Sequence, residues 1–319
     1  MLQTAPSRRG WRLYAAAAGL VLVALATPPL ARAQDANPWD RFVGAEAPGY
    51  PDPDALVGVF TDLLAAGDID GTLAMLGLTP EARTSDNFDE DFAMVASFAA
   101  EKVALRDLDA DRKILLLGRD VWPFPFPIVH TGGSWMFDTV AGLDEIINRR
   151  IGENEIQAIA TERDYVSAQE VYWQTDWDED GVVEYAQRLI STPETFDGLY
   201  WPSGDGVPAS PAGAYIEEAA LPGEDSDGYF GYRFRILKGQ GSNIAGGAYD
   251  YVINGNMIAG FALIGWPVSY GTTGINTFVV NQYGTVYQKD LGDDTDRLAA
   301  EITLFDPDET WSVVTGATR

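Results

Sequence analysis

Cysteine is absent from all 319 residues, and that gap removes disulfides, thiol nucleophiles, thiolate zinc sites and a lipid-bearing cysteine together. Histidine occurs once, as His130. A multi-histidine metal site is therefore excluded, and no Gly-x-Ser-x-Gly elbow exists to use this histidine as a catalytic base; it reads as a surface residue at a strand end. Basic residues are scarce, with 21 Lys and Arg against 48 Asp and Glu, a net charge of −27. A chain this acidic repels nucleic acid and anionic lipid, which leaves cations and neutral ligands as partners. No apolar run approaches the roughly 20 residues that cross a bilayer.

What is present begins with an export signal. Arg8, Arg9 and Arg12 precede an apolar run from Leu13 to Ala26, and the small-x-small triplet Ala31-Arg32-Ala33 follows. That order is expected of a secretory signal over residues 1–33, cleaved to leave Gln34 at the new N-terminus. The Arg8-Arg9 pair also fits a twin-arginine signal, beside the simpler reading of an ordinary basic segment. The mature chain is expected to be soluble, without a stable membrane anchor, and periplasmic or secreted. Its signal carries four arginines and no acid, so 17 basic residues remain against 48 acidic ones, a net −31.

Residues 34–53 are rich in Pro, Gly and Asp and read as a tether. A first domain is expected over 54–142. Leu56, Val59, Phe60, Leu63 and Leu64 form one helical face closed by Gly67, and Phe88, Phe92 and Val95 mark a second helix ending near Lys102. Strands are expected at 113–117, 122–129 and 134–138. In Pro123-Phe124-Pro125-Phe126-Pro127 the alternating prolines place the middle strand at a sheet edge. Helices followed by a sheet make an α+β unit. Its order and Gly133-Ser134-Trp135-Met136-Phe137-Asp138 resemble the nuclear-transport-factor-2-like fold.

The second domain is expected over 143–319. A helix at 143–150 precedes a longer one at 153–175, whose apolar pairs Ala158/Ile159, Tyr165/Val166 and Tyr172/Trp173 recur every seven residues. A loop-rich stretch leads to strands at 232–237, 249–253, 257–266, 277–281 and 285–289, then a helix at 295–302. Asn254-Gly255 is a strong signal for a two-residue hairpin. A long helix on an antiparallel meander resembles the globular head of type IV pilins, without the pilin's membrane helix.

Trp122-Pro123-Phe124-Pro125, Ile147-Asn148-Arg149-Arg150-Ile151-Gly152, Gly198-Leu199-Tyr200-Trp201-Pro202, Gly246-Gly247-Ala248-Tyr249-Asp250-Tyr251 and Tyr287-Gln288-Lys289-Asp290-Leu291-Gly292 resemble the domain of unknown function 2950 family of bacterial exported proteins. The likeness runs over nearly all of the mature chain. It implies export and a shared architecture, and brings no activity with it.

The sharpest chemical motif is Asp176-Trp177-Asp178-Glu179-Asp180-Gly181-Val182-Val183-Glu184-Tyr185-Ala186-Gln187. Carboxylates at positions 1, 3 and 5, glycine at 6, a backbone carbonyl at 7 (Val182) and an acid at 9 (Glu184) match an oxygen cage for calcium. Position 12, where a bidentate glutamate is expected, is Gln187. A neutral amide there predicts weak affinity, or completion by another acid such as Asp197 or Asp205. The alternative is a solvated acidic turn. Gly239-Gln240-Gly241-Ser242 has neither the spacing nor the following helix of a phosphate loop. The expected function is a non-enzymatic exported protein with a structural calcium loop. The rival is a carbohydrate binder or carboxylate-dependent glycan-active enzyme of the cell envelope, using aromatics such as Tyr200, Trp201, Tyr232 and Trp266 as a platform. A glycan or an envelope protein would be its partner.

Overall fold

The computed structural model describes residues 39–84, 87–213 and 228–315; the expected signal at 1–33 lies outside them. The fold is α+β, with helices and antiparallel sheets in two compact units. One unit runs to Ile146 and the other begins at Ile147.

In the first unit, α1 (Pro53–Ala66) starts at Asp52, whose carboxylate accepts from Ala55 N, with Pro53 at its first position. Gly67 closes it at φ 68°, a left-handed conformation that costs glycine little. Leu56, Phe60 and Leu64 are buried as the periodicity predicts, whereas Val59 turns to solvent. The short α2 (Ile69–Met75) and then α3 (Phe88–Glu101) follow. The strands are β1 (Val103–Asp107), β2 (Arg112–Leu117), β3 (Trp122–Pro123), β4 (Ile128–Thr131) and β5 (Ser134–Phe137). They form one sheet in the order β1-β2-β4-β5, with β3 also on β2.

The single strand expected over 122–129 is divided between β3 and β4, with residues 124–127 outside both. Pro123, Pro125 and Pro127 lack the N–H groups a continuous ladder needs, while Phe124 and Phe126 still reach the core beside Phe60 and Phe137. Residues 39–52, all within the stretch read as a tether, lie along this unit. Phe42 and Ala47 are buried, and Tyr50 and Trp135 exchange both backbone hydrogen bonds at 2.8 Å.

The two helices expected at 143–150 and 153–175 are one, α4 (Thr139–Tyr172). Gly152 stays helical, since an interior glycine weakens a helix by only about 1 kcal/mol and nothing else interrupts the run. In the second unit the strands are β6 (Tyr232–Leu237), β7 (Gly239–Gln240), β8 (Tyr249–Asp250), β9 (Val252–Ile253), β10 (Asn256–Met257), β11 (Ala262–Pro267), β12 (Asn276–Asn281), β13 (Tyr287–Asp290) and β14 (Ser312–Val313). The main sheet has the order β14-β13-β12-β11-β6 and is antiparallel throughout.

Ala158, Tyr165 and Tyr172 of α4 are buried in one cluster with Leu237, Leu263 and Phe278, and Ile159 and Val166 pack at its edge. The last helix, α5 (Thr295–Glu301), is tied to β6 by Arg235, whose Nη2 donates to the carbonyls of Ala299 and Ile302 at 2.7 Å. Asn254 and Gly255 form the expected two-residue turn between β9 and β10, both at positive φ (54° and 100°).

Candidate metal centre

The last turn of α4 delivers the acidic loop. Trp173 N donates to Gln169 O, Gln174 N to Val171 O and Thr175 N to Tyr172 O. The Trp177 indole N–H also reaches Tyr172 O (3.1 Å), so a residue of the acidic loop itself helps cap the helix end. The Trp177 ring packs against Tyr172, Phe196 and Trp201, which anchors the loop between its first two carboxylates.

Two left-handed residues then curl the chain, Glu179 at φ 60° and Gly181 at φ 89°. Asp176 Oδ2 accepts from Gly181 N (2.9 Å), Asp180 Oδ1 from Val182 N (2.8 Å), and Asp178 Oδ1 from Asp180 N (3.4 Å). The result is convergence: Asp176, Asp178 and Asp180 can each offer an oxygen within 4.8 Å of the others. Asp178 and Asp180 are exposed and Asp176 is half-buried. Asp176 Oδ1 is buried and no donor meets it. Three unneutralised carboxylates at this spacing repel one another, and hard oxygen donors of this kind suit a hard divalent cation.

The β9–β10 hairpin supports the rest of the loop. Asn256 Nδ2 donates to Asp180 Oδ2 (2.8 Å), Met257 N to Glu184 Oε2 (2.7 Å), and Gln187 Nε2 to Gly255 O (2.6 Å). Gln187 Nε2 also reaches Glu184 Oε2 at 3.3 Å, and Gln187 Oε1 accepts from Lys238 Nζ at 3.1 Å. The twelfth-position amide is thus occupied at both ends, its oxygen by an ammonium group. Glu184 is joined to the hairpin, and Val182 and Val183 are exposed.

Asp197 is used elsewhere. It accepts from Thr192 N, Thr192 Oγ1 and Thr195 Oγ1, and pairs with Arg188 at 3.2 Å. Burial opposes its ionisation, but these donors outweigh that and hold the carboxyl below its usual range. Near the loop, the Tyr172 hydroxyl is pushed up by burial first, then by the carboxylates of Glu184, Asp197 and Asp178. Among the described residues, Asp176, Asp178 and Asp180 are the one acidic group brought together in this way.

Two supporting residues escaped sequence reasoning. Asn256 follows an obvious turn but carries no sign of its partner 76 residues away. Gln169, buried in α4, holds Ala186 by both backbone groups at 2.8 Å.

The aromatics considered as a sugar platform are mostly occupied. Tyr200, Trp201 and Tyr232 are buried, and the Trp266 indole donates to Asp296 at 3.0 Å. His130 is exposed at the strand end, stacked on Trp135 (centroids 4.9 Å apart) and 3.3 Å from Asp111.

The DUF2950 family, described as a protein of unknown function, matches residues 48–314. The chain belongs to this family. The match takes in both units, the acidic loop and the hairpin that supports it. No curated protein and no solved structure matches the chain. Among the described residues, no helix of this DUF2950 member is long and apolar enough to cross a membrane.

Proposed function

We propose that this protein is exported, acts without catalysis, and uses its 176–187 loop to hold a structural calcium ion. The observation that carries the reading is the convergence of three carboxylates within 4.8 Å around an Asp176 oxygen that is buried without a donor. A divalent ion would supply the missing partner and relieve the repulsion. Asp176, Asp178 and Asp180 are the core ligands in this reading, with the Val182 carbonyl and Glu184 completing the shell. The occupied Gln187 amide fits weak affinity, roughly 10⁻⁵ to 10⁻³ M. Export rests on the basic segment, apolar run and Ala31-Arg32-Ala33 triplet. The first unit is read as nuclear-transport-factor-2-like and the second as pilin-head-like, on their element order.

Thermal unfolding tests the site. At a hundredfold excess of calcium over its dissociation constant, linkage gives about 2.7 kcal/mol of stabilisation. The melting temperature should rise on moving from chelator to millimolar calcium, and rise less with magnesium, which demands a tighter octahedron. In Asp176→Ala with Asp180→Ala the rise should vanish. Equal melting of the native protein in chelator and calcium would reduce the loop to a solvated acidic turn.

A further inference from the structure

One carboxylate of α4 reaches no water. Glu162 is 0% exposed, and neither of its carboxylate oxygens has a hydrogen-bond partner. One helical turn to either side stand Ala158, Ile159, Tyr165 and Val166, of which Tyr165 alone can ionise. The Tyr165 hydroxyl is already engaged, donating to Ala262 O (3.2 Å) and accepting from Gln169 Nε2 (3.0 Å).

The sheet above offers no cation. A Cβ built on Gly265 of β11 would stand 3.0 Å from Glu162 Oε1 and 2.6 Å from the Phe234 ring, so the bare glycine leaves the carboxyl its room. Residues alternate between faces along β6, which places Arg233 and Arg235 opposite to Phe234. Arg233 pairs with Asp296 at 2.8 Å, and Arg235 is bound to the carbonyls of α5. Strands β11 and β12 contain no ionisable residue. A carboxylate charge in this place would be neither solvated nor paired, an arrangement that native proteins avoid by neutralising the group.

We propose that Glu162 is a proton lock: it is a neutral carboxylic acid in the native protein, and losing the proton loosens the packing of α4 on β6 and β11. Burial alone pushes its carboxyl well above the usual 4.5. The sign follows from that direction. The stabilising contribution is complete below the unfolded-state value of about 4.5 and is lost as pH rises toward and through the native value. Within that window the native state holds one proton more than the unfolded state, and the folding constant falls about tenfold per pH unit on this account.

The test compares urea unfolding of the native protein and Glu162→Gln from pH 5 to 8, together with infrared spectra of both at pH 7. The native protein should lose about tenfold per pH unit relative to the variant, whose amide does not titrate. It should also show a protonated-carboxyl C=O band that the variant lacks. If Glu162→Gln does not fold, the band is followed in the native protein as pH rises, and its loss should coincide with loss of near-ultraviolet circular dichroism. Parallel pH profiles, or no protonated-carboxyl band at pH 7, would overturn the proposal and assign Glu162 a counter-ion.

Discussion

Gln169 supplies Ala186 with what a neighbouring strand would supply. Its amide nitrogen donates to Ala186 O and its amide oxygen accepts from Ala186 N, both at 2.8 Å, in a fully buried setting. Replacing Gln169 with Ala leaves both backbone groups unpaired where water does not reach. Each such orphan costs roughly 1–3 kcal/mol, so Gln169→Ala should destabilise by about 2–6 kcal/mol in urea unfolding. A change below 0.5 kcal/mol, about the size of an ordinary surface substitution, would mean that Ala186 finds other partners. The same residues show what sequence can and cannot reveal. Asp176, Asp178 and Asp180 were legible because their cage is built within a few consecutive residues. Gln169 and Glu162 look like polar positions of a solvated helix until the fold places Ala186 beside one and Gly265 above the other.

Among the elements, α4 makes its own prediction through two glycines. At Gly142 an added Cβ would fall 2.0 Å from a ring carbon of buried Phe126. At Gly152 nothing lies within 4 Å. Gly152→Ala should therefore stabilise by about 1 kcal/mol, the helix-propensity difference. Gly142→Ala gains the same term but overpacks a filled core, and should lose about 1–3 kcal/mol net. Opposite shifts in melting temperature for one substitution in one helix would verify the placement; equal shifts would contradict it. Element type was legible where a local signal decides it, as with the Gly67 cap and the Asn254-Gly255 turn. It was lost where competing terms balance. The expected helices at 143–150 and 153–175 run on as one through Gly152, and the 123–127 prolines allowed the phenylalanines to be buried while denying the strand its ladder.

At the scale of the whole molecule, acidity and family membership were readable from the chain, but the pairing of the acidic loop with a distant hairpin was not. Asn256, Met257 and Gly255 meet Asp180, Glu184 and Gln187 across separations of 76, 73 and 68 residues. No local pattern encodes that meeting, which gives it a consequence in time. A chain that has just emerged as far as residue 187 has its three crowded carboxylates and nothing to brace them. On the proposed calcium reading, the ion finds a finished seat only after the hairpin has arrived, late in folding. It should then act as a bolt shot after the door has closed rather than as a nucleus. In stopped-flow experiments calcium should slow unfolding and leave the refolding rate nearly unchanged, as expected of an interaction absent from the transition state. Faster refolding in calcium would show that the loop assembles ahead of its brace.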